Sequence, residues 1–316
     1  MYKSKTSQLL LVRFPIFFPL FYGLILFFFP SYEKELILIT ILILAETHFG
    51  ATWPFFLNKV NYPYLKEKKI ELIFIPLTIT ILSIIGFIYA KNFFLLIFFA
   101  VNIYHVTRQS FGVCKLYCKE VAEFNFQSKL IYIINSLLFL VAFFRFYLPL
   151  IETEHLIVIN IFFIILMFLI SIYYIKKFNF SQNYLTFLTG CIIFYPACFV
   201  ENSVHIILMG VTMHYTQYLY LTNHVHQSRV QIINQNEQYK KKSIYSFFII
   251  IIIYSLIMTF FSNMGKLEDS FYKELIFIPI LGQMLHFYID SQVWKFSEKH
   301  NRENVLEHLK KIISLQ

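Results

Sequence analysis

Apolar residues run along this chain in long blocks, not at alternate positions. The blocks at 9–29, 36–57, 70–90, 92–116, 130–150, 156–175, 184–200, 203–223, 244–261 and 272–294 reach or approach the roughly 20 residues a helix needs to cross about 30 Å of hydrocarbon. They predict an all-α, polytopic bundle of about ten transmembrane helices. No strand alternation of the barrel type appears. The first block is too long for a cleaved signal segment and has no small-residue exit near Pro30, so it is read as a retained first helix. Beyond residue 294, Val305, Leu306, Leu309, Ile312 and Ile313 recur at helical spacing among Lys and Glu. That predicts an amphipathic cytoplasmic tail, 295–316, on the membrane surface, after one transmembrane domain, 1–294.

Composition agrees with this class. Hydrophobic residues make up 58% of the chain and charged ones 14%, and the mean hydropathy of +0.62 excludes an ordinary soluble globule. The basic residues orient the bundle. Of 27 Lys and Arg, all but Lys34, Lys91, Arg145, Lys266 and Lys273 fall on the side that holds the N-terminus. By the positive-inside rule that side is cytoplasmic, and both termini lie there. This is the pattern of a multi-pass protein of the cell's inner or plasma membrane. The net charge of +9 is then a topology signal and an attraction to anionic lipid, with no nucleic-acid partner required.

Against this background the histidines stand out. His48, His105, His214 and His286 fall in the second, fourth, eighth and tenth predicted spans. All four lie about 17–21 Å from the outer end of their helices, in the cytoplasmic half of the membrane. An imidazole in hydrocarbon loses water at both ring nitrogens and needs a partner. Packing histidines have no reason to agree in depth, so a metal site is the stronger reading. Each has polar company: Glu46 before His48, Arg108 and Gln109 after His105, Gln217 one turn from His214, and Gln283 and Asp290 one turn either side of His286. Such neighbours are the devices that fix the tautomer of a metal ligand. Arg108 is expected to neutralise a buried carboxylate such as Asp290.

Imidazole with carboxylate or amide oxygen suits iron, copper or zinc, and a four-histidine site with an open position suits oxygen-activating non-haem iron. Two facing histidines also suit a haem, as in membrane electron-transfer proteins. A proton-coupled transporter would use the same residues as a relay, and Pro279 to Gly282 hints at a broken helix. Cys114 and Cys118 form only a CxxxC, Cys191 and Cys198 lie elsewhere, and no HExxH or nucleotide-binding loop occurs. His205 is read as an interfacial partner of Glu201. His224 and His226 are candidates for a second site, His155, His300 and His308 are read as solvated, and Trp53 and Trp294 as interfacial anchors. The histidine-bearing spans fall on either side of a His-free middle pair, which hints at an internal duplication.

The segments Glu46-Thr47-His48-Phe49-Gly50, the His214 helix and Leu285-His286-Phe287-Tyr288-Ile289-Asp290 resemble the corresponding histidine segments of the bacterial Brp/Blh family of membrane β-carotene cleavage dioxygenases. Where that family's histidine helix has a second His, this chain has Tyr218. The resemblance implies an all-helical membrane enzyme with histidine-bound non-haem iron at His48 and His214. Together these readings predict an iron-dependent oxygenase acting on a lipophilic substrate, an isoprenoid or carotenoid or an acyl lipid, drawn from the bilayer.

Overall fold

The computed structural model describes residues 5–233, 237–265 and 270–313. Among the described residues there is helix and turn and no strand. The principal helices are α1 (Lys5–Arg13), α2 (Phe17–Phe28), α3 (Pro30–Phe56), α4 (Ile70–Tyr89), α5 (Lys91–Tyr117), α6 (Val121–Tyr147), α7 (Thr153–Phe178), α8 (Gln182–Ile192), α9 (Thr212–Ile233), α10 (Glu237–Met264), α11 (Phe277–Val293) and α12 (Glu307–Ile313). The predicted topology residues Lys3 and Lys266 lie outside the described residues.

Among the described residues five helices are long and apolar enough to cross a membrane: α3, α4, α6, α7 and the 241–264 stretch of α10. The pair α1 and α2, bent by 57°, makes a sixth if it is one span. Its break falls at Pro15, which lacks an N–H and pushes Phe14 away from helical backbone. The other predicted spans fall short for separate reasons. α5 and α9 are long enough, but they carry Asn102, His105, Arg108 and Gln109, or His214, Gln217, Asn223 and His224, within the helix. Hydropathy therefore scores lowest where the predicted ligands concentrate. α11 has 17 residues. The predicted 184–200 span is not one helix, because α8 stops at Ile192 and a 3-10 turn follows at Tyr195–Cys198, where Pro196 disfavours the helix.

By Cα packing the chain divides into unit 1, Met1–Ile37 with Ile103–Gln217, and unit 2, Leu38–Asn102 with Tyr218–Gln316. The boundaries fall inside α3, α5 and α9.

In unit 1, stopping α8 early frees backbone carbonyls that hydrocarbon would leave unsatisfied. Arg145 of α6 donates to the carbonyls of Ala197 and Val200, the latter at 2.7 Å, and Asn160 of α7 donates to Cys198 at 3.0 Å. The next turn bends at Gly210, where a Cβ would collide with the carbonyl oxygen of Ile193. Gly210→Ala is therefore expected to destabilise by at least about 1–3 kcal/mol. Thermal unfolding of the detergent-solubilised protein checks it, and an unchanged midpoint would count against this packing. His205 is buried; its Nε2 lies 3.0 Å from Glu33 Oε1 and its Nδ1 2.7 Å from the Tyr22 hydroxyl. Its partner is therefore Glu33, and not the neighbouring Glu201, because the turn before α9 carries the ring inward.

In unit 2 the C-terminal segment is packed, not laid on a surface. Asn301, Val305, His308 and Leu309 are buried. His308 Nδ1 is 2.8 Å from Ser228 Oγ, and Arg229 Nε donates to the Asn304 carbonyl at 2.8 Å. His300 reaches Asn61 Oδ1 at 3.0 Å and stacks on Tyr64. His300 and His308 thus correct the solvated reading, while His155 is exposed as expected. Of the second-site candidates, His226 stacks on Phe247 with ring centroids 4.4 Å apart, a packing role.

Burial, and then the charge of Arg229, hold the His300 imidazole below its ordinary pKa against the opposing pull of Glu303 and Glu67. The folded form therefore favours the neutral ring. The stability this contributes is present above about pH 6.5 and is lost as pH falls below it. Proteolytic cleavage of the C-terminal segment is expected to accelerate below about pH 6.5, and His300→Gln is expected to flatten that dependence. A pH-independent cleavage rate in the native protein would contradict it.

Candidate metal centre

Each unit buries one pair of the predicted ligands. In unit 2, His48 of α3 and His286 of α11 are both fully buried. Their ring centroids are 4.5 Å apart with the planes at 68°. A ring nitrogen of each lies within 4.8 Å of the other's. Two nitrogens bound to one ion at about 2.0–2.1 Å stand up to about 4.2 Å apart, so sub-ångström adjustment brings both to a common ion. In unit 1, His105 of α5 and His214 of α9 are buried with ring centroids 5.5 Å apart, edge to face.

A hydrogen-bonded chain stands behind His286. Its Nδ1 is 2.6 Å from Thr52 Oγ1, which is 2.8 Å from the Tyr218 hydroxyl. Tyr218 donates to Asp290 Oδ1 at 2.7 Å, and Trp294 Nε1 donates to the same oxygen at 2.7 Å. Where Asp290 is ionised its carboxylate can only accept, and the proton of Tyr218 is then committed to it. Thr52 then satisfies Tyr218 by donating its own proton to it, and accepts from Nδ1–H of His286. With Asp290 ionised the direction of the chain follows, and with it the tautomer of His286: the proton then sits on Nδ1, and Nε2 carries the lone pair that a metal binds.

Helical spacing explains why these residues meet. Thr52 follows His48 by four on α3, and Asp290 follows His286 and precedes Trp294 by four on α11, so each set shares a helix face. Phe49 and Phe287, edge-on to His286 with centroids 5.0 and 5.7 Å away, close its sides. The Tyr218 ring is 4.6 Å from that of His48. Burial keeps water out and strengthens every polar contact in the chain.

The other predicted residues take different places. Asp290 acts on His286 through two hydroxyls, not directly. Glu46, buried, accepts from Gln283 at 3.2 Å on one carboxylate oxygen. Gln217, expected to orient His214, gives its Nε2 to the Val12 carbonyl at 2.6 Å. Gln109 is half-buried, and Arg108 is exposed; an exposed guanidinium is not placed to neutralise a buried carboxylate. Thr52, Tyr218 and Trp294 are the site residues that histidine counting missed. Trp294, read as an anchor, spends its N–H on Asp290.

Comparison with protein-family models, with curated proteins and with solved structures finds no match.

Proposed function

We propose that this chain is an integral membrane oxidoreductase that binds non-haem iron through intramembrane histidines and oxidises a lipophilic substrate from the bilayer. The proposal assigns His48, His105, His214 and His286 to the metal, and keeps the predicted ten-span arrangement with both termini in the cytoplasm. The observation that carries it is the chain His286–Thr52–Tyr218–Asp290, which engages Nδ1 of His286 in a ring pair whose centroids, with buried His48, are 4.5 Å apart. A fold with no use for a ligand gains little from fixing one imidazole tautomer through two hydroxyls and a carboxylate. When bound, iron supplies oxygen activation at neutral pH. The protein's own part is to hold the ring, exclude water and admit an apolar molecule. The resemblance to carotenoid-cleaving membrane dioxygenases supports the same class and places conjugated isoprenoids among the substrates to try.

A bare ion is favoured over haem by ring separation. Two imidazoles on opposite faces of a haem have centroids about 6 Å or more apart, with the macrocycle between them. The rings of His48 and His286, 4.5 Å apart and inclined at 68°, leave no room for it. The relay-transporter reading loses its hint as well: α11 begins at Phe277 and runs to Val293 unbroken, with Pro279 in its first turn, where proline is tolerated. The test is elemental analysis of the purified protein, with an absorption spectrum. Stoichiometric iron without a Soret band is expected; absence of any bound transition metal removes the reading. The iron-to-protein ratio, with His105→Ala and His214→Ala beside His48→Ala and His286→Ala, shows whether the two pairs serve one ion or two.

A further inference from the structure

Arg229 of α9 is 3% exposed and has no ion pair among the described residues. Burial lowers its pKa only to about 10, so it is charged at neutral pH. A buried charge without a counter-charge is costly, a cost that an apolar side chain would avoid. Two of its contacts lead to Phe55, near the C-terminal end of α3. The guanidinium carbon lies 4.5 Å from the centre of the Phe55 ring, and Nη1 donates to the Phe55 carbonyl at 3.4 Å. That carbonyl is among the last four of the helix, which have no partner within it, and a cation there also suits the helix dipole. Asn61 Nδ2 serves the same end, donating to the Phe55 and Phe56 carbonyls at 3.1 and 2.8 Å. Both capping groups are held from the C-terminal segment: Arg229 Nε by the Asn304 carbonyl at 2.8 Å, and Asn61 by His300 at 3.0 Å. Asn304 Nδ2 in turn donates to the His300 carbonyl at 3.0 Å, which ties the two anchors together.

Phe55 also connects this end of α3 to the metal centre. It follows His48 by seven and Thr52 by three, so the three share one stripe of the helix. Its ring stacks on Trp294, with centroids 5.9 Å apart and planes at 6°, and Trp294 Nε1 donates to Asp290 Oδ1 at 2.7 Å. From Asp290 the hydrogen-bonded chain runs to His286. We propose that Arg229 is a positioning residue of the metal centre, through which the seating of the C-terminal segment sets the metal affinity of His286. Arg229 holds Phe55 by ring and carbonyl together, and so fixes the surface on which Trp294 stacks. A Trp294 held there keeps its N–H on Asp290, the far end of the chain. Only a planar cation stacks on a ring and donates in two directions at once, which lysine does not do. The coupling stands on the contacts within unit 2. Its consequence for metal affinity rests on the reading of His286 as a ligand.

The test uses the full-length protein in detergent, with Fe(II) under anaerobic conditions and a competing chelator. Arg229→Gln is expected to weaken iron binding about tenfold, the low end of what losing an outer partner of a ligand costs. Arg229→Lys keeps the charge and loses the planar fork; it is expected to fall short of native as well, and serves where Arg229→Gln does not fold. A double-mutant cycle with Trp294→Phe separates positioning from general destabilisation. If Arg229 acts through Trp294, its replacement costs less than about twofold once Trp294 is Phe, whereas a general loss of stability multiplies in both backgrounds. The chain has two tryptophans, so with Trp53→Phe the near-ultraviolet circular dichroism of tryptophan reports Trp294 alone. In metal-free protein that signal is expected to change in Arg229→Gln and to stay native in Lys299→Gln, at an exposed position of the same segment. Native iron affinity in Arg229→Gln, or in Arg229→Lys where only that variant folds, overturns the proposal. So does an undiminished loss in the Trp294→Phe background. A native protein that never binds iron ends the oxidoreductase reading, and the Trp294 signal then decides the coupling by itself: unchanged in the Arg229 variant, it overturns that too.

Discussion

His286→Ala is expected to abolish stoichiometric iron binding, and His48→Ala to do the same. The loss should exceed the roughly 10–100-fold that removing an outer partner of a ligand costs, since here the ligand atom itself is gone. Both rings are fully buried, so truncation also leaves a cavity and lowers stability. His286→Gln and His48→Gln, which nearly fill the space, separate the two effects: they too are expected to lose the metal, with a smaller drop in unfolding temperature. His155→Ala, at an exposed position, is the control expected to keep its iron. Equilibrium dialysis with Fe(II) under anaerobic conditions, followed by elemental analysis, reads the outcome. Full iron content in His286→Ala or His48→Ala would mean that the paired rings of unit 2 are packing residues.

The helical membrane class and the burial of the four histidines were legible in the chain because both follow one-dimensional signals. Apolar block length announces helices in lipid, and a histidine inside such a block announces a partner. Beyond that, legibility followed helical arithmetic. Spacing placed Asp290 on the face of His286, and it would equally have placed Thr52 on the face of His48, but a threonine in an apolar helix is usually satisfied by its own backbone. Tyr218 was noticed only as the residue that stands where a histidine was sought. Its role emerges when a second helix brings Asp290 within 2.7 Å of its hydroxyl, and no window along one helix contains that fact. The same limit explains the 184–200 block. Its hydropathy is that of a span, while Pro196 ends the regular hydrogen bonding and Arg145, some 50 residues earlier, supplies the donors that make the ending tolerable. Arg108 shows the converse: a charged residue beside a predicted ligand invites a role, and exposure removes it.

Tyr218→Phe is expected to weaken iron binding about 10–100-fold while both histidine ligands remain. Without the phenolic oxygen, Thr52 loses the acceptor for its proton and turns it toward Nδ1 of His286. That ring must then carry its own proton on Nε2, the atom the metal needs. Thr52→Ala removes the acceptor for Nδ1–H and is expected to fall in the same range. Thr52→Ser keeps the hydroxyl and is expected to restore near-native affinity, a rescue that a purely structural role for Thr52 would not produce, because the lost methyl is what packing would register. Asp290→Asn separates geometry from charge. Its amide oxygen can still accept from Tyr218 and Trp294, which both bond Oδ1, so the direction of the chain survives while the negative charge behind it is gone. Its effect should be smaller than that of Tyr218→Phe if tautomer is the controlling quantity, and larger if the charge is. Chelator competition on all four variants orders them, and a Tyr218→Phe affinity within about twofold of native, where the 10–100-fold loss is expected, would show that the ring of His286 is held by packing alone.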